Sequence, residues 1–438
     1  MVVTIVVLLI LAGVSISLVV DKNGIIQKSK DARREYGQAK ANEQEDLSNL
    51  SDMIDEATAE PTPKVDVNTK AGENSTINGK KGTSNNPTIP KGYIPIDTAT
   101  STWGDGSTAP SQDSVDHGLV IKDDSGNEWV WIPVPDVTVM CNTSNTTEYT
   151  LCGTTGETAV KTKLYSKTIT IGTDSNKTRI SRTTPGKTST YREPDLVSGS
   201  NGSTSDARDT NYKAILGKTG TKEQLAQLFV DEYKEMIESV SKYGGFYIGR
   251  YELSSAGVQQ YKQPLTKTNW YSLYKKCTEL QASDKVKTRM IWGCQWDVAC
   301  NFIANKGDKK SIRDSSTWGN HSNYNTANSY TEGTEGYEEN AGSKQNTGSS
   351  ENWKANNIYD LAGNCWEWTQ EAGSTDGRAY RGGYYNGYGS SYPASACSFN
   401  NPDLNNYDNR RFSSHFNNKV ILDTRAWAPV ERIIVKQT

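Results

Sequence analysis

Histidine is nearly missing from this 438-residue chain, with three copies, and phenylalanine and methionine are scarce at six and five. His117, His321 and His415 fall in loops with no Ser or Cys nucleophile motif beside them, so a Ser–His or Cys–His centre has no starting point. Each reads as a solvated side chain. None of the seven cysteines forms a C-x-x-C pair, which argues against a zinc site. Cationic excess is missing too: the formal net charge is −3, and without a basic footprint nucleic acid is not an expected partner. Apolar residues make up only 34%, yet 11 Trp and 23 Tyr are present, more aromatic weight than a disordered chain carries. The balance predicts an aromatic core under a polar, Tyr-rich surface, with room for more than one domain.

The longest uncharged apolar run is Met1 to Val20, with only Thr4, Ser15 and Ser17 as polar side chains. As a helix, about twenty such residues reach across a bilayer. The charged stretch that follows keeps Leu47, Leu50 and Ile54 at helical spacing. An apolar spanning half joined to an amphipathic charged half resembles the N-terminal helix of type IV pilins, over residues 1–58. Pilins carry a basic leader and a Glu at the fifth mature position, whereas this sequence starts at Met1 and has Ile5, as a chain whose leader has been removed or a plain anchor would. Lys22, Lys28, Lys30, Arg33 and Arg34 follow the span and favour keeping the C-terminal side inside, which a lost basic leader would reverse. Placement outside the cell rests on the resemblance.

Residues 59–114 shift to Pro, Ser, Thr, Asn and Gly with no apolar period, the composition of a linker or stalk. The globular part is expected over 115–438. "GLVIKDDSGNEWVWIPV" reads as a hairpin whose Trp129 and Trp131 share one face. Residues 137–215 are irregular and Thr/Ser-rich. Cys141 and Cys152 bracket a short polar loop, and a disulfide between them is open if the domain lies outside the cell. Thr221-x-x-Gln224 opens a helix that Gly244-Gly245 stops, and a second helical face joins Trp292, Trp296, Ala299, Cys300 and Ile303. Cys294 and Cys300 read as buried unpaired thiols.

The chain turns on "NIYDLAGNCWEW" (Asn357–Trp368), followed by Arg381-Gly382-Gly383. As a strand, Trp366 and Trp368 point to one face and Glu367 to the other. The Gly pair marks backbone that passes closely or takes positive φ. These motifs, with "GGFYIGRYE" (Gly244–Glu252) and "WGCQWDVACNFI" (Trp292–Ile303), resemble the formylglycine-generating (sulfatase-modifying factor) family, a variant of the C-type-lectin fold. The resemblance implies an α+β, C-type-lectin-like domain, with Glu252 as a structural partner and Val420–Leu422 as the closing strand. It also implies structural calcium, for which Asn364 and Glu367 are the candidate ligands and Asn357 and Asp360 weaker ones. No other cofactor is called for. Catalytic members bind copper through two cysteines four residues apart after the RGG motif. Here that segment holds Cys397 alone, with Cys365 a second thiol only if the fold brings it near.

Tyr384–Asn418 is dominated by Tyr, Asn, Ser, Asp and Gly, as a paratope is. It resembles the variable region of retroelement-diversified lectin-fold proteins. The candidate contact residues are Tyr384, Tyr385, Asn386, Tyr388, Ser390, Tyr392, Asn400, Asn401, Asn405, Tyr407 and Asn409. The expectation is a non-catalytic recognition or adhesion protein at the cell surface, anchored in the membrane or in a pilus-like filament, with an extracellular protein or glycan as ligand. Two alternatives are a formylglycine-type copper oxidase acting on a Cys-containing peptide, and a structural pilin-like filament subunit.

Overall fold

The computed structural model describes residues 62–152, 159–167, 193–196, 215–216, 220–280, 286–373, 377–403, 416–417 and 420–424. The chain divides into two units, Met1–Pro61 and Thr62–Thr438. The first, with the expected span 1–20 and pilin-like helix 1–58, lies outside the described residues. Among the described residues no helix is long and apolar enough to cross a membrane.

The second unit is mixed α/β with small antiparallel sheets. Its largest sheet has six strands: β1 (Ile94–Ile96), β2 (Val120–Lys122), β3 (Glu128–Pro133), β6 (Gly245–Gly249), β14 (Val420–Thr424) and β7 (Val286–Met290), in that spatial order. Every neighbouring pair described in it is antiparallel. Alternation along the strands feeds two cores. Ile121, Trp129, Trp131 and Tyr247 join one apolar cluster, while Val120, Val130, Ile132, Phe246 and Ile248 join another. With both faces covered, the strands carry nearly unbroken apolar runs.

Helix α2 (Lys222–Tyr243) lies across both clusters with Leu225, Phe229, Met236, Ile237 and Val240 buried. Its start is the expected capping box: Thr221 Oγ1 accepts from Gln224 N–H at 3.3 Å and Gln224 Oε1 accepts from Thr221 N–H at 2.9 Å. Gly244, at φ 73°, ends it. Helix α3 (Trp270–Thr278) packs in the first cluster and α4 (Gly293–Asn305) in the second. The Glu193 carboxylate accepts from the Gly293 and Cys294 amides at the start of α4, satisfying two of its orphan donors. A second sheet runs β12 (Cys397–Asn400), β11 (Arg378–Arg381), β10 (Trp366–Ala372) and β13 (Phe416–Asn417). Smaller pieces are the pairs β4 (Tyr149–Cys152) with β5 (Val160–Thr162) and β8 (Lys354–Ala355) with β9 (Ile358–Tyr359), and the short helices α1 (Gln112–Asp116) and α5 (Tyr324–Ala327).

Three expectations need correction. The stretch 59–114 is not a stalk from residue 62 onward. Val65, Ala71, Ile77, Ile89, Tyr93 and Trp103 are buried in the first cluster, and Ile94–Ile96 forms the edge strand β1. Trp103 Nε1 donates to the Val120 carbonyl at 3.0 Å, and Tyr247 Oη donates to that of Thr88 at 3.0 Å. The segment carries no period because it has almost no regular structure. Single apolar anchors, spaced by turns, tie it down. Cys141, offered as half of a disulfide, is a buried free thiol whose pKa burial raises. His321 is fully buried, not solvated.

Candidate functional site

The site grows from β10. Trp366 and Trp368 both lie in the first core cluster, and Tyr380 of β11 packs edge-on against each, at 4.9 and 5.5 Å between ring centroids. Glu367 points to the opposite side. That side is buried as well, because the backbone of Gly382 passes over it: a Cβ on Gly382 would meet Glu367 Oε2 at 2.5 Å. Gly382 and Gly383 take φ of 93° and 83°, so the pair meets both requirements read from the sequence. A side chain at Gly383 would run into the Tyr392 carbonyl oxygen.

Under this turn lies a fully buried ion trio. Arg381 Nη2 donates to Glu371 at 2.6 Å, and its Nη1 lies 3.3 Å from Asp297 Oδ1. Burial opposes the Arg381 charge, but Cys397, Glu371 and Asp297 outweigh it and hold its pKa well above the usual value. A buried pair of this kind gives little net stability and resists loss of either partner. It pins β11 to α4 and β10 where the chain leaves for the aromatic segment.

That segment builds an aromatic cluster on Trp366. Tyr384 stacks on it at 5.9 Å and Tyr392 meets it edge-on at 5.7 Å, with Tyr384 and Tyr392 5.5 Å apart. The backbone is tied on several sides. Tyr385 N–H donates to the Asn364 carbonyl (3.0 Å), Gly389 N–H to Asn323 Oδ1 (3.0 Å), and Ala394 N–H to Ser315 Oγ (2.9 Å). In the other direction, Ser322 N–H donates to the Gly387 carbonyl at 3.0 Å.

On this frame Tyr384 and Tyr385 are half-buried, whereas Asn386, Tyr388, Ser390 and Tyr392 are exposed, Tyr388 at 60%. These six candidates come together in one compact turn. Asn400 and Asn401 stand apart, at the end of β12, and are half-buried. Their amide oxygens accept from Asn401 and Asp403 N–H, both at 2.8 Å. Asn405, Tyr407 and Asn409 lie outside the described residues. The sequence reading missed Phe399, 45% exposed on β12. Its signal was its place in a strand whose neighbours Ser398 and Asn400 are polar. No charged residue falls between Gly382 and Pro402.

Three of the four candidate calcium ligands are engaged by the chain's own hydrogen bonds. Asn364 is fully buried and both ends of its amide are engaged. Its oxygen accepts from Asn320 Nδ2 (3.1 Å) and Gln345 N–H (3.0 Å), and its nitrogen donates to Glu252 Oε2 (2.5 Å). Asp360 accepts from Thr347 Oγ1 and Gly348 N–H, and Asn357 donates to the His117 and Gly118 carbonyls. These oxygens face N–H and O–H donors, which a cation would have to displace. Among the described residues no group of three or more His, Cys, Asp and Glu could hold a metal. Glu252 does act as a structural partner, accepting also from Cys365 N–H at 3.1 Å.

The thiols speak to the oxidase alternative. Cys365 and Cys397 are both buried. Burial, reinforced by Glu252 and Glu367, pushes the Cys365 pKa well up. A thiol that keeps its proton is a poor nucleophile.

Fold and site together define a mixed α/β domain that carries an uncharged aromatic turn on a tightly bonded frame. No family model matches the chain, and no curated protein does. One solved structure to which it shows some likeness is Treponema denticola variable protein 1. It is 14% identical, the alignment covers 42% of this chain and 85% of that one, and the TM-score is 0.27. A superposition at that score does not establish a common fold.

Proposed function

We propose that the chain is a recognition protein that binds its ligand through the Tyr384–Phe399 turn and acts without bond-making chemistry. One observation carries this reading. Of the five large apolar side chains exposed among the described residues, three (Tyr388, Tyr392 and Phe399) fall within this one uncharged segment. Exposed aromatic rings held on ordered backbone have little conformational entropy left to lose on binding. The motif resemblance to the C-type-lectin variant supports a lectin-like scaffold beneath them. The separate resemblance of residues 1–58 to a type IV pilin helix supports display at the cell surface, through a membrane anchor or a pilin-like filament. An extracellular protein or glycan is the expected ligand class.

The test is a screen of the full chain against glycan and cell-surface protein arrays, repeated with Tyr388→Ser/Tyr392→Ser. Loss of at least tenfold in affinity in a variant that still folds is expected, as for hot-spot aromatics worth about 2 kcal/mol. A ligand held equally well by the double variant places the binding surface elsewhere.

A further inference from the structure

His321 differs from His117, whose ring is partly exposed and whose Nδ1 lies 2.8 Å from the Asp113 carbonyl. The His321 ring is shut in. A Cβ on Gly383 would stand 3.2 Å from its Cε1, and one on Gly319 would stand 2.8 Å from its Nε2. Two glycines therefore leave it the space it fills. The next residue, Ser322, holds the Gly387 carbonyl through both its N–H (3.0 Å) and its hydroxyl (3.2 Å). His321 and Ser322 thus form the floor of the turn that carries Tyr384, Tyr385 and Tyr388.

We infer that His321 is a positioning residue for the aromatic face: its neutral imidazole props the Gly383–Gly389 turn, and acid releases the turn by charging the ring. The inference deepens the recognition reading by adding its regulation, and rests on that reading only for the consequence to ligand binding.

The physical case lies in what surrounds the ring. The backbone of Tyr384 and Gly387 approaches it, yet neither ring nitrogen meets a partner in full hydrogen-bond geometry. An imidazolium has two N–H donors to satisfy, and a buried charge with poorly aligned acceptors is costly. The one carboxylate that faces it is Asp314, on its own loop. The overlying segment offers main chain and the Tyr384 phenol, while Gly319 and Ala362 bring no titratable group. Burial accordingly takes the His321 pKa down from 6.5 to about 4, against the smaller opposing pull of those carbonyls and Asp314. The sign follows. Between pH 6.5 and 4 an opened turn takes up a proton that the closed turn refuses, so opening becomes easier as pH falls.

The opening can be read without any ligand, by hydrogen exchange on the full chain at the amides of Tyr385, Gly387 and Gly389, which donate to Asn364, Tyr384 and Asn323 in turn and so hold the turn closed. After correction for intrinsic exchange, the opening constant is expected to rise about twentyfold between pH 7 and pH 5 in the native chain. In His321→Gln it should stay flat, while the Trp131 amide in β3 keeps its protection in both. A flat profile in the native chain overturns the inference, as does the same slope in the variant or an equal change at Trp131. If His321→Gln does not fold, imidazole NMR of the native chain decides: one ring must stay neutral below pH 5, and three ordinary titrations overturn it. Because exchange reports on the turn alone, a failed ligand screen leaves this result standing, and the reverse holds too.

Discussion

Gly383 carries more of the site than any residue with a side chain. Its positive φ and the Tyr392 carbonyl leave no place for a Cβ, and the whole course of the aromatic segment follows from the reversal it permits. Gly383→Ala is expected to lose roughly 2–3 kcal/mol, the cost of strained backbone together with an ill-placed carbonyl. Urea denaturation measures the loss, and an unchanged midpoint means that the turn relaxes freely. Trp366 was legible as a core anchor from alternation alone, and Glu252 only through the family resemblance of its stretch. Asn364 was legible as a site residue, but its bonds to Asn320, Gln345 and Glu252 were not, since those partners lie far off in the sequence. His321 was misjudged because a single polar residue within a polar loop leaves no periodic trace of burial.

At the scale of elements, the sequence spoke clearly wherever period and end signals agreed. Helix α2 has an apolar face, a capping box and a glycine stop, and all three appear as expected. Thr221→Ala should cost about 1 kcal/mol, visible as a lowered thermal midpoint, because it leaves orphan amides at the helix start. If the midpoint does not move, solvent already satisfies those groups. The hairpin β2–β3 was legible for the same reason, with Asp123–Asn127 as its turn. The aromatic turn itself was visible as composition. Its shape was not, since that depends on partners as distant in sequence as Ser315 and Asn323.

For the whole molecule, the largest surprise is residues 62–114. Composition marked them as a spacer, whereas they lie against one face of the main sheet. Trp103 tests this most directly. Its ring is fully buried and its N–H is bonded to β2, so Trp103→Ala is expected to cost about 3–5 kcal/mol. A true spacer would lose nothing, and a calorimetric scan separates the two outcomes. The compact unit therefore begins at Thr62.

The last strand, β14, slots between β6 and β7, pairing with both. The main sheet is thus completed by a strand that comes more than 120 residues after β7. During synthesis the ribosome must handle a chain whose main sheet cannot close until β14 emerges. Until those final residues emerge, two bare strand edges stay open to strangers. A premature stop before Val420 would be expected to leave insoluble material, however little of the polypeptide is lost.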